Sequence, residues 1–209
     1  MQVRKKKSTE FRGTLLLVTA TEAEALYFSQ MRKDCRFTNL NVVCSNARSL
    51  KEIVSIASKE KNRGKFDSTF CVFGFDDLNT NVQEIVEMEE TLQNRKIQLC
   101  YFNPTFELWF YLHLGNLTGF VSDPEFFKSS IAKAIPGYEF TPEYLYTKGA
   151  NLHLQLFPRH ASADLKAREY NRLAIQKTGI KASGVVELDS AITEICGTAD
   201  MSHNTKIFK

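Results

Sequence analysis

A chain of 209 residues, 43% hydrophobic and 24% charged, is long enough to bury one sizeable core and has the make-up of a soluble globular protein. No apolar run approaches the roughly 20 residues of a membrane helix, and residues 1–12 lack the apolar centre of a signal peptide; the expectation is a cytoplasmic protein with no membrane partner. The net charge of +3 is too small to argue for nucleic acid by itself, and five scattered cysteines without a CxxC pair (Cys35, Cys44, Cys71, Cys100, Cys196) predict reduced, mostly buried thiols with no zinc framework.

The chain opens on a basic arm, residues 1–12, in which Arg4, Lys5, Lys6 and Lys7 are either a solubilising tail or contacts for phosphates. Leu15–Val18 is a short apolar run of the kind buried in parallel sheets. Behind it, Thr21-x-x-Glu24 is a capping box that opens a helix to about Met31. Asn39–Cys44 reads as a second strand. Ser49-x-x-Glu52 predicts another boxed helix start, with Ile53, Ile56 and Ala57 as its stripe and Arg63-Gly64 as its end. Thr69–Phe75 is apolar throughout, which places it as a central third strand, and Asp76-Asp77 follow at its carboxyl end. Val82, Ile85, Val86, Met88 and Leu92 recur at helical spacing over Asn79–Asn94, and Ile97–Phe102 is the fourth strand. Strands alternating with helices of this length predict right-handed βαβ units: an α/β fold with a mostly parallel sheet flanked by helices.

Asn103-Pro104 then leads into the aromatic run Phe106, Leu108, Trp109, Phe110, Tyr111 and Leu112, with Pro104 expected in a first helical turn and Asn103 or Thr105 as its cap. After Gly115 the character changes. Asp123-Pro124 starts a helix that Pro136-Gly137 stops, Tyr138–Tyr146 is aromatic and irregular, and His153–Phe157 is short and apolar. A basic and polar helix is expected over Ser162–Lys177, stopped by Gly179, and an amphipathic one over Gly184–Cys196. The organisation expected is a core over residues 13–120 and a helical C-terminal extension over 121–209, packed on it as one unit.

Chemistry is expected where strands of an open α/β sheet end. Asp76 and Asp77 are either a turn and helix-start feature or, with a third acid, ligands for Mg²⁺. Glu107, set among aromatic residues, either pairs within a buried helix or stands with Asn103 and His113 at the mouth of a site. Lys166, Arg168, Arg172 and Lys177 either form a solvated helix face or meet phosphates. There is no Gly-rich phosphate loop and no GxSxG nucleophile motif, so the chain is not expected to hydrolyse ATP itself. His113, His153 and His160 are too dispersed in sequence to predict zinc.

Asn103-Pro104-Thr105-Phe106-Glu107-Leu108-Trp109, followed by Tyr111-Leu112-His113, resembles the signature of the RloB-like family. Three further segments fall in that family's order: Thr21–Phe28 after the first strand, Phe73–Asp77, and Ser183–Leu188. The resemblance implies a Toprim-type core, the metal-dependent phosphodiester-handling fold of primases, topoisomerases and overcoming-lysogenization-defect nucleases. It also implies a role in phage defence and abortive infection beside an AAA- or ABC-type ATPase subunit, with a phage component as trigger and homo-oligomers as one form of assembly. Asp76, Asp77 and Glu107 would then bind Mg²⁺ or Mn²⁺, and Glu24 would act as a general base or further ligand. Lys5, Lys6, Lys7, Asn103, His113, Lys166 and Arg172 would meet DNA or RNA. The chain departs from the pattern at two places. Thr19-Ala20-Thr21 follows the first strand where a Glu is expected, and Gly74 stands at the first Asp of an Asp-x-Asp, with Phe75 between it and Asp76. The resemblance therefore leaves two readings, a nuclease subunit with a depleted acidic site or a non-catalytic assembly and sensing subunit.

Overall fold

The computed structural model describes residues 13–204, so the basic arm with Lys5, Lys6 and Lys7 lies outside the described residues. Four strands, β1 (Leu15–Thr19), β2 (Leu40–Cys44), β3 (Ser68–Gly74) and β4 (Ile97–Phe102), form one sheet in the order β2-β1-β3-β4. All three pairings are parallel, in the registers Leu15↔Leu40, Leu15↔Ser68 and Thr69↔Ile97. The strands therefore end along one edge, at Cys44, Thr19, Gly74 and Phe102.

Both sheet faces are covered, which is why the strands are apolar at successive positions rather than alternating. Leu16, Val18, Cys71, Phe73, Leu99 and Tyr101 pack under α2 (Leu50–Gly64) and α4 (Val82–Leu92). Leu15, Leu17, Phe70, Val72, Cys100 and Phe102 face a larger core shared with α1 (Glu22–Asp34), α5 (Glu107–Leu114) and the C-terminal helices. Those are α6 (Pro124–Ala134), α7 (Pro142–Tyr146), α8 (Leu152–Leu156), α9 (His160–Thr178) and α10 (Val185–Cys196). The aromatic run leading into α5 is the hub: Phe106 lies 4.7–5.9 Å, centroid to centroid, from Tyr27, Phe28, Phe102, Phe110 and Phe140. The cysteines are free thiols, with Cys44 half-buried and the others buried. Among the described residues, no helix is long and apolar enough to cross a membrane.

Several boundaries differ from expectation for local reasons. The segment after β3 is not one helix. A single turn, α3 (Phe75–Leu78), starts at once and is ended by Asn79 in the left-handed region, and Asn81 then caps α4 through Glu84 N–H. Phe75 accordingly belongs to a helical turn and not to the strand. Pro104 is not in a first helical turn; the Asn103–Pro104 peptide is cis and α5 opens at Glu107 without a side-chain cap. The Glu52 carboxylate accepts the N–H of Arg48 rather than that of Ser49, so only half of the second box forms. The irregular aromatic stretch contains α7, the short apolar run is α8, and α9 begins at His160.

Candidate active site

The site grows from the ends of β1, β3 and β4. At β1, Thr21 caps α1, its Oγ accepting the Glu24 N–H while Glu24 Oε2 accepts the Thr21 N–H at 2.9 Å. This reciprocal cap draws the Glu24 carboxylate to the strand end and buries it completely. Its Oε1 has no N–H or O–H donor among the described residues. At β3, the chain turns directly into α3, and Asp77 Oδ2 folds back to accept the Gly74 N–H at 2.8 Å. The Asp76 N–H reaches across to the Pro104 carbonyl at 3.1 Å, tying the end of β3 to the loop after β4. In that loop, the Thr105 hydroxyl donates to Glu107 Oε2 at 2.6 Å.

Charge binds these acids into one cluster. Burial, then repulsion from Asp77, raises Glu24 well above the usual carboxylate range. Asp77 is pushed up to about 6 by loss of hydration and by Asp76 beside it, although both keep a solvent-facing edge. Asp76 is raised by loss of hydration, and Glu107 by burial and by Asp76. None of the four forms an ion pair among the described residues.

Gly74 sits at the centre of this geometry. A Cβ there would lie 2.5 Å from Asp76 Oδ1, 2.8 Å from Asp77 Oδ2 and 3.0 Å from the Phe106 backbone nitrogen. The space a side chain would need is taken by the two following carboxylates. At the β1 end, Thr19 is buried and its hydroxyl donates to the Thr21 carbonyl, so nothing acidic projects from the strand itself.

The donor set is chemically right for a hard divalent cation: carboxylate oxygens, one of them orphaned in a buried place, with no ion pair to a basic side chain among the described residues. As the side chains stand, no three His, Cys, Asp or Glu residues among those described converge closely enough to hold a metal ion. The cluster is a gathering of charge and not a finished cage.

The other expected residues are scattered. Asn103 follows β4, buried, with its N–H on the Ala182 carbonyl. His113 is turned into the core at 2% exposure, its Nδ1 against the Trp109 carbonyl at 2.8 Å, and burial lowers it to about 3. It presents no surface to a phosphate and is no part of the acidic site. The Lys166 ammonium donates to the Gly115 carbonyl at the end of α5, while Arg172 is exposed on α9. The histidines, far apart in sequence, come together. The His113 and His160 rings are 6.0 Å apart, His153 pairs with Asp34 at 2.9 Å and His160 with Asp189 at 3.0 Å. Sequence reading missed this set because its partners come from α1 and α10, more than a hundred and nearly thirty positions away respectively.

The segments quoted for their resemblance meet at this edge. Ser183 bridges Phe102 antiparallel, and the Gly184 N–H donates to the Tyr101 carbonyl, so the 182–184 segment lies along the outer side of β4. Comparison with known proteins gives one family, described as RloB-like protein, matching residues 15–193. No curated protein and no solved structure matches the chain.

Proposed function

The chain belongs to the RloB-like family, and on that premise we propose that it is a Toprim-like, metal-dependent nuclease subunit of a phage-defence system, cleaving DNA or RNA phosphodiesters beside an AAA- or ABC-type ATPase partner. The observation that carries this reading is the gathering of Glu24, Asp76, Asp77 and Glu107 at the carboxyl ends of parallel strands, where open α/β sheets bind ligands, with loss of hydration raising all four and repulsion between neighbouring acids adding to it at Glu24, Asp77 and Glu107. A site that repels its own charges is a site that favours a cation. Asp76, Asp77 and Glu107 would hold Mg²⁺ or Mn²⁺, directly or through water. When bound, the metal supplies Lewis-acid stabilisation of the phosphodiester's developing charge. Glu24, held by Thr21, would in its ionised form take a proton from the attacking water or serve as a further metal ligand.

The test is cleavage of single-stranded and duplex DNA and RNA with Mg²⁺ or Mn²⁺, with and without an AAA- or ABC-type ATPase partner. The double variant Asp76→Ala/Glu107→Ala should lose at least a hundredfold in rate, on the order of removing metal ligation, while keeping its fold. Undiminished cleavage would sink the site.

A second reading, that the chain is a non-catalytic assembly and sensing subunit, is favoured by one observation: the position of the family pattern's first Asp is Gly74, and the space for its side chain is filled. Copurification with the ATPase, without metal binding or turnover, would select this reading over the first.

A further inference from the structure

Among the described residues α9 is the longest helix, and it carries two stripes. The inner one, Ala163, Ala167, Tyr170 and Ala174, is buried against the core. The outer one, Leu165, Arg168, Arg172 and Ile175, is exposed at every position and recurs at intervals of three, four and three residues. That is the spacing of a coiled-coil seam. Leu165 is 68% exposed and Ile175 51%. Apolar residues exposed singly are ordinary, but two that end one seam make an unpaired helix face. The charges between them are mixed. Arg168 Nε donates to Asp164 of the same helix at 2.9 Å, and Asp189 and Glu194 of α10 line the groove on that side, so Arg168 is not a bare positive charge. Glu169 and Arg172, both exposed, form no ion pair among the described residues.

We propose that this outer stripe is a self-association seam, on which a second copy of the chain packs its own α9 antiparallel across a two-fold axis. Such an interface is isologous, so the stripe must be complementary to itself. About the point midway between Arg168 and Arg172 it is. Leu165 of each copy meets Ile175 of the other, closing an apolar layer at both ends. Glu169 of each copy falls opposite position 171 of the other, between Arg168 and Arg172, so its carboxylate meets guanidinium groups. A parallel pair would set Glu169 against Glu169 and align the two helix dipoles, and both are unfavourable. The arginines at the middle of the seam cost stability and fix the register, since sliding by one heptad would bury an arginine against Leu165 or Ile175. A contact of two heptads is at the small end of specific interfaces, so the dimer exchanges with monomer over about 1–100 µM and is not permanent. The seam stands apart from the acidic site and from the nuclease reading.

Sedimentation equilibrium of the full chain over that concentration range tests the seam, with a monomer–dimer equilibrium as the expected result. Leu165→Glu/Ile175→Glu changes two exposed positions, so the circular dichroism spectrum should be unaltered. It sets carboxylates against carboxylates and should raise the dissociation constant by about tenfold or more. Cross-linking under copper-catalysed air oxidation reads the register. Leu165→Cys/Ile175→Cys should give a disulfide-linked dimer. Leu165→Cys alone should give no more than the unaltered chain, because the two copies of position 165 lie about 15 Å apart along the antiparallel pair. A monomer throughout the range, a dimer indifferent to the two glutamates, or cross-linking by Leu165→Cys alone would overturn the proposal.

Discussion

Asp77 closes the Gly74 turn and is coupled by charge to Glu24 and Asp76, so its titration reports on the cluster. Its folded-state pKa, about 6, lies above the ordinary 3.8, as that of Glu24 lies above its own. The folded chain therefore keeps protons that the unfolded chain has released between those values. Stability is fully present below about pH 4 for these groups and is lost as pH rises through about 6. Thermal melts should accordingly show lower stability at pH 8 than at pH 5, and Asp77→Asn should flatten that difference; a chain equally stable at both values would contradict the coupling. Gly74 makes a separate prediction. Its φ of −79° is open to any residue, so the requirement is one of space. The two carboxylates can swing toward solvent, but the Phe106 backbone nitrogen at 3.0 Å cannot, and the Asp77 bond to the Gly74 N–H breaks if Asp77 moves. Gly74→Ala should cost about 1–3 kcal/mol in urea denaturation, the usual price of overpacking.

At the scale of elements, β4 is an edge strand whose upper half is covered by the 182–184 segment, and α9 holds that segment in place. Asn171 Oδ1 accepts the N–H groups of Ala182 and Ser183 at 2.9 Å each, and its Nδ2 donates to the Ser183 carbonyl at 2.8 Å. Both clamped residues are buried, so Asn171→Ala strands backbone groups away from water and should destabilise by about 2–4 kcal/mol, with chemical denaturation as the measurement. A loss below about 0.5 kcal/mol, typical of a surface change, would show that the clamp is idle. Gly184 completes the same contact, since a Cβ there would lie 2.8 Å from the Cys100 Cα. The strands could be read from sequence because a sheet covered on both faces writes itself as uninterrupted apolar runs, as in β1 and β3. The break between α3 and α4 could not be read from periodicity, because the apolar spacing of Val82, Ile85 and Leu92 says nothing about where a helix begins. Its signals were the asparagines, Asn79 for a left-handed stop and Asn81 for a cap. Asp76 and Asp77 were legible as chemistry from their place after an apolar strand. The burial of His113 was not, since a histidine on an aromatic helix looks the same whether its ring meets solvent or the Trp109 carbonyl.

Across the whole molecule, residues from three separate stretches of the chain, Glu24, Asp76-Asp77 and Glu107, meet at one sheet edge because parallel connectivity returns every strand in the same direction. The C-terminal helices contribute at a distance, by packing on α1 and α5 and by closing the edge of β4, so the division into core and extension is one of sequence more than of packing. Four carboxylates that form no ion pair among the described residues leave a concentration of negative charge that a divalent cation would relieve, and a ligand that binds only the folded state raises the melting temperature. The most direct measurement is calorimetric titration of Mg²⁺ and Mn²⁺ into the chain at pH 8, above the Asp77 value of about 6, beside Asp76→Ala. The account predicts saturable binding by the unaltered chain, lost in the variant and weakened at pH 5 as protons compete. Absence of saturable heat, or identical binding by both proteins, would contradict it.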